Sequence, residues 1–223
     1  MDQRSPPEFI LDAFVDPTSV RDVVRGILHT IFFHRFFPSV LPRTREVLDL
    51  TLPYIADAEL ETLIDQRTAA LVRQLDAERG SQHLHQSQQQ QQQQAQGFLQ
   101  PQQQQQHHGH AAAGNGGGRG QIAVQFFEKK RRKTWLMRNE EEVCWEGWTV
   151  KVTVAEPRTD SEKAKVRKAM EQTLLSAIMK IVTFVNAHKD HIPPITTTET
   201  NPFPYQITVG QKETGWATRM GIY

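Results

Sequence analysis

The stretch from Ser81 to Gly120, SQHLHQSQQQQQQQAQGFLQPQQQQQHHGHAAAGNGGGRG, limits the fold more than any other part of the chain. Glutamine, histidine and glycine dominate it, and its only sizeable apolar residues are Leu84, Phe98 and Leu99. Such a segment cannot bury enough surface to offset the entropy of ordering it, so it reads as disordered. Whatever core exists must therefore come from the residues on either side. It need not separate two domains. By logarithmic loop-closure scaling, expanding a loop from ~8 to ~40 residues costs only about 1.4 kcal/mol. The expectation is one domain over 1–223, interrupted at about 81–120.

The flanking halves carry strong periodicity. EFILDAFVD alternates Phe9, Leu11, Ala13 and Val15 and reads as a strand. Asp16-Pro17 then opens a helix, with Val20, Val23, Val24, Ile27, Leu28, Ile31 and Phe32 at a spacing of three and four. REVLDLTLPYI reads as a second strand, and a second helix follows Asp57 with Leu60, Leu63, Ile64, Leu71, Val72 and Leu75 inward. After the insertion, QIAVQFFEKK and WEGWTVKVTVAE are strand-like, and in the latter Trp148, Val150, Val152 and Val154 share one face. A long helix is expected from about Thr159 or Ser161 to about His188. Its apolar set is Val166, Met170, Leu174, Leu175, Ala177, Ile178, Ile181, Val182, Phe184 and Val185. That arc is wide enough to be covered on more than one side. PYQITVG and TGWATRM suggest a closing hairpin. The order is that of an α+β domain with several antiparallel strands.

Composition excludes little by itself. With 26 basic and 25 acidic residues the formal net charge is +1, which gives no global field for nucleic acid or an anionic membrane. The single cysteine, Cys144, rules out an intrachain disulfide and suits a reducing compartment. No run approaches the ~18 apolar residues of a membrane span. The most apolar, GILHTIFFHRFF, is broken by His29, His34 and Arg35, and MDQRSPPEFILDAF lacks the order of a secretory signal. A cytoplasmic protein without a transmembrane segment is the plain reading.

Catalytic patterns are not found. GNGGGRG does not join a strand to a helix and is no phosphate loop. Cys144 reads as a packing thiol just before a strand. His29 and His34, five apart, project from different sides of a helix and make a poor metal pair, and His29 reads as a hydrogen-bonded residue at the core edge. His83, His85, His107, His108 and His110 lack rigid ligand geometry. Glu140, Glu141 and Glu142 are contiguous and give no fixed acid–base separation. No catalytic, cofactor or metal residue is assigned, and the chain does not read as an enzyme.

The unusual stretch is KKRRKTWLMRNEEEVCWEGWTVKV, where Trp135, Leu136 and Met137 lie between a basic and an acidic block. The basic run Lys129, Lys130, Arg131, Arg132 and Lys133 reads as a solvated strand end, or as a patch for phosphates or an anionic membrane. Single-strand binding would also require interleaved aromatics on one sheet face, whereas Phe126 and Phe127 sit on opposite faces of a strand. Trp135 either folds back as a lid or stands out as an anchor for a partner, with the flanking charges keeping it soluble.

ILHTIFFHR on the first helix, VQFFEKK entering the loop, then a tryptophan and the strand WEGWTVKV resemble the autophagy-related protein 101 family, in a fungal-like form with a glutamine-rich insertion. The resemblance is intermittent from about Phe9 to Tyr205 and is most specific from Phe126 to Val154. It implies a HORMA fold: a mainly antiparallel sheet backed by three helices, the last long and central. It implies a non-catalytic subunit of the autophagy-initiation kinase complex, working in the cytoplasm at the phagophore assembly site. Such a subunit pairs with the HORMA domain of autophagy-related protein 13, stabilises it, and recruits downstream factors through a loop, the WF finger. The finger tryptophan maps onto Trp135. The second finger aromatic falls at Met137, where this chain departs from phenylalanine, which leaves Met137 or Leu136 as the second anchor. For the partner face the wide arc of the last helix offers Leu175 and Phe184. The alternatives are a nucleic-acid-associated module using residues 129–133, and a peptide-closing HORMA switch of the checkpoint or meiotic kind.

Overall fold

The computed structural model describes residues 5–96, 118–133, 138–196 and 200–210, without the side chains of 82–96, 131–133 and 138–140. Strand β1 (Glu8–Val15) alternates as its sequence demands: Phe9, Leu11, Ala13 and Val15 are buried, while Glu8, Ile10 and Asp12 face out. The Asp16 carboxylate then accepts from the Thr18 and Ser19 amides at 2.9 and 2.8 Å, which turns the chain before helix α1 (Val20–Arg35). Asp16-Pro17 is thus a turn rather than the first helical residues, because that carboxylate holds the amides outside the helix. All seven apolar residues of the α1 stripe are buried. At about 1.5–3 kcal/mol per fully buried large side chain, this helix is held by its environment more than by propensity.

REVLDLTLPYI is not one strand but the greater part of two. Strands β2 (Pro42–Val47) and β3 (Leu50–Ile55) pair antiparallel, with Val47 opposite Leu50. Leu48, at φ 53°, makes the turn with Asp49. The left-handed region is costly for leucine, and the turn persists because Leu48 packs against the core. No glycine or asparagine announced it.

Asp57 caps helix α2 (Ala58–Gln96) through its Oδ1 and the Leu60 amide at 2.9 Å, and Leu60, Ile64, Leu71 and Leu75 are buried. The helix does not stop at Gly80. It continues through Gln96, so the expectation of disorder from Ser81 fails over its first part, where glutamine is a good helix former. The far end is also structured, since strand β4 (Arg119–Lys133) begins before Gly120. The rest of the insertion lies outside the described residues.

Strands β4 and β5 (Arg138–Val154) form a long antiparallel pair, β1 adds to β5 in parallel, and β6 (Tyr205–Val209) adds antiparallel to β4. Among the described residues the main sheet therefore runs β1-β5-β4-β6, mainly antiparallel, with β2-β3 as a separate pair. PYQITVG supplies β6, whereas TGWATRM lies outside the described residues. Helix α3 (Asp160–Ala187) starts at a capping box in which Thr159 and Glu162 satisfy each other's backbone amides.

Three helices back the apolar face of the sheet among the described residues, an α+β arrangement of the kind a HORMA-like domain requires. The last of them, α3, is long, as expected. Helix α1 packs on both other helices, on the β2–β3 pair and on β1, whereas α3 lies along β1 and α1 and buries one stripe, Met170, Leu174, Ala177, Ile181 and Val185. Among the described residues, the wide apolar arc of α3 is thus covered on one side only.

Candidate functional site

Beyond Phe126 on β4 and Gly147 on β5, neither β6 nor β1 continues. From there, among the described residues, β4 and β5 pair only with each other, as a two-stranded ribbon. Its register explains the two charged blocks. Lys129 stands opposite Glu142, Lys130 opposite Glu141 and Arg131 opposite Glu140, and the pairing runs on to Lys133 and Arg138. An isolated two-stranded ribbon is marginal in water. Opposite charges facing each other across strands contribute roughly 0.2–1 kcal/mol each, so Lys129 opposite Glu142 and Lys130 opposite Glu141 favour this register. Lys130 also reaches Glu128 at 3.2 Å. The root is tied down by the Phe127 amide, which donates to the Pro204 carbonyl at 2.8 Å.

Trp135, Leu136 and Met137 lie in the connection between the paired ends Lys133 and Arg138, outside the described residues. Of the basic run, Lys129 and Lys130 are exposed, and Arg131, Arg132 and Lys133 continue the strand. The aromatic platform that single-strand binding requires is missing at the described root: Phe126 is fully buried and Phe127 points the other way, half-buried. Trp148 and Trp145 are both core residues.

At the root of the ribbon is a buried charge cluster that sequence reading missed. Glu146 is fully buried. Its carboxylate accepts from Arg35 Nε at 2.9 Å to both oxygens and from Trp148 Nε1 at 2.5 Å, and His191 Nε2 lies 2.7 Å from Oε2. Arg35 also donates to the carbonyls of His34 at 3.2 Å and His188 at 3.3 Å. The only signal available was that Glu146 shares the inward face of its strand with Trp148.

On α3 the two candidate contact residues part ways. Leu175 is 49% exposed, and Met179, one turn on, is 55% exposed, making an open apolar spot. Met179 was overlooked, although it follows Leu175 by four. Phe184 is half-buried in a stack with Phe9 at 5.0 Å and Trp148 at 6.4 Å.

Burial shifts several titratable groups among the described residues. Burial pushes the Cys144 thiol up to about 11, the reverse of what a nucleophile needs. His29 is not a hydrogen-bonded edge residue: it is buried, neither ring nitrogen has a partner, and its ring lies 4.4 Å from that of Tyr54. Burial, then the charges of Arg25 and Arg45, hold it down to about 4. Burial first, and then Arg35, lowers His34 also. Among the described residues no three His, Cys, Asp or Glu side chains are grouped to hold a metal ion, and no helix is long and apolar enough to cross a membrane.

The profile of the autophagy-related protein 101 family matches residues 12–199. The chain belongs to that family. It is 23% identical to autophagy-related protein 101 of Arabidopsis thaliana over 215 residues, covering 87% of this chain and 82% of the relative. It is likewise 23% identical to that of Schizosaccharomyces pombe over 198 residues, covering 88% and 83%. Against the human protein the identity is 34% over 78 residues, covering 35% and 34%. Family membership places this chain in autophagy.

Proposed function

We propose that this chain is a non-catalytic adaptor of autophagy initiation, built as one domain over 1–223. It pairs with the HORMA domain of autophagy-related protein 13, stabilises that partner, and joins the autophagy-initiation kinase complex in the cytoplasm at the phagophore assembly site. It recruits downstream factors through Trp135, with Leu136 or Met137 beside it. The observation that carries this reading is the ribbon: a basic and an acidic strand in register, with Trp135 in the connection between their ends. Opposed charges give such a protrusion solubility and order without a core, which suits a stalk better than a phosphate-binding patch. Nucleic acid would have to compete with Glu140, Glu141 and Glu142 for the same cations. The exposed pair Leu175 and Met179 is the partner face on α3 that we favour.

The test is co-purification with the autophagy-related protein 13 HORMA domain of the same organism, read as a one-to-one complex by light scattering. Trp135→Ala is expected to leave folding and this pairing intact while weakening capture of downstream factors by about 2 kcal/mol, roughly thirty-fold in Kd. A chain that stays alone at high concentration overturns the pairing. Loss of the complex in Trp135→Ala overturns the division of labour between face and ribbon.

A further inference from the structure

The ribbon leaves the sheet at an irregularity. Phe126 pairs with Glu146 and Phe127 with Cys144, so β5 carries one residue more than β4, and that residue is Trp145. A β-bulge bends its strand and increases the local twist. An unsupported bulge at the base of a two-stranded ribbon is a soft point, because the ladder is interrupted where leverage is greatest.

This bulge is supported from several elements at once. The Trp145 ring lies 5.7 Å from Phe126, 5.2 Å from Phe203 and 5.7 Å from His191. Glu146, the next residue, is bound by Arg35 at the end of α1 and by His191 in the segment after α3. Arg35 in turn holds the His188 carbonyl at the C-cap of α3. The end of α1, the end of α3 and the segment leading to β6 thus converge on two consecutive residues.

Stability alone does not call for charge here. Well-packed apolar residues of similar volume often serve as well as a buried ion pair or better. What the guanidinium and the carboxylate add is direction, since a planar fork fixes the orientation of the groups it joins. We propose that Trp145 and Glu146 form a rigid elbow that sets the angle between the ribbon and the helix α3 face. They are positioning residues: neither touches the recruited partner, and both decide where Trp135 is presented. A ribbon held at one angle loses less orientational freedom on binding than one that swings. Its role in recruitment rests on the reading given under Proposed function, whereas the elbow geometry itself does not.

Pulsed electron paramagnetic resonance between nitroxides at Glu142→Cys on the ribbon and Lys180→Cys on α3 reports a change of angle as a change in their distance, in a Cys144→Ser background. Both labelled positions are exposed. The otherwise native chain is expected to show one narrow distance. Glu146→Gln and His191→Ala are each expected to shift and broaden it, with circular dichroism showing that both remain folded. A merely structural role would lower the melting temperature and leave the distance unmoved. His191 lies at the partly exposed side of the cluster, so its variant carries the test if Glu146→Gln fails to fold. An unchanged narrow distance in a folded variant overturns the elbow, as does a broad distance in the native background. Failure of Trp135 to bind any factor leaves these distances untouched, so the two readings fail separately.

Discussion

Glu146 and Glu141 lie five residues apart on β5 and each stands against a cation, yet the two carboxylates do opposite work. Glu146 is fully buried, bound by Arg35 at 2.9 Å, and ties together segments far apart in the chain. Glu141 stands across the ribbon from Lys130, where water and salt screen the pair. The same charge chemistry is an anchor in the first place and a weak, repeated fastener in the second. Burial decides which.

The largest expected effect breaks the anchor. Glu146→Ala leaves Arg35 buried without its partner and is expected to cost about 3–5 kcal/mol in urea unfolding. The pair Arg35→Met with Glu146→Leu should recover most of that loss. A loss below about 1 kcal/mol for the single variant would mean that the cluster is not the anchor described.

The next concerns a buried group whose charged neighbours, Arg25 and Arg45, are themselves cations. His29 is held near 4, against an ordinary value of 6.5. Above pH 6.5 the ring is neutral in both folded and unfolded chains, and it makes no pH-dependent difference. As the pH falls below 6.5 the unfolded chain takes up a proton that the folded chain refuses until about 4. Stability should therefore fall across that window by about 3 kcal/mol from this residue. His29→Phe should flatten the profile, and an unchanged acid slope in that variant would remove His29 from the account.

The smallest effect belongs to the ribbon. Glu141→Lys is expected to change global stability by under about 1 kcal/mol. It should nevertheless speed hydrogen exchange of the ribbon amides, and the increment should disappear in about 1 M salt. Persistence of the effect at high salt would show that packing, rather than charge, closes the ribbon.

Much of the fold was legible because burial imposes a period. The alternation of Phe9, Leu11, Ala13 and Val15, the α1 stripe and the face shared by Trp148 and Val150 were read correctly, since each needs only one element to be visible. Features that depend on two distant segments were not. The Glu146 cluster joins residues more than a hundred positions apart, and no local pattern marks such a meeting. The charged blocks of the ribbon were plain in the sequence but looked like solvated runs until a register placed one against the other. The β2–β3 turn escaped notice because Leu48 adopts a conformation normally signalled by glycine. Helix α2 was cut short by treating a polar tract as unable to continue a helix already nucleated upstream. Trp135, Leu136 and Met137 rest on resemblance and on the ribbon that leads to them.

After the glutamine-rich interruption the chain returns to the core against helix α2, beside Leu71, Leu75 and Arg79. A Cβ on Gly120 would stand 2.9 Å from Leu71 Cδ1 and 3.1 Å from Leu75 Cδ2, and one on Gly118 would stand 3.0 Å from the Leu75 carbonyl oxygen. The close re-entry of the strand against α2 is eased because both positions lack a side chain. Helix α2 itself runs on to Gln96, and the length of chain between there and Gly118 bears on the core only through loop closure. Doubling that length adds only about 0.6 kcal/mol by loop-closure scaling. A change in the length of the tract is therefore expected to leave the stability of the folded core almost unchanged. A change at either glycine would be felt at once.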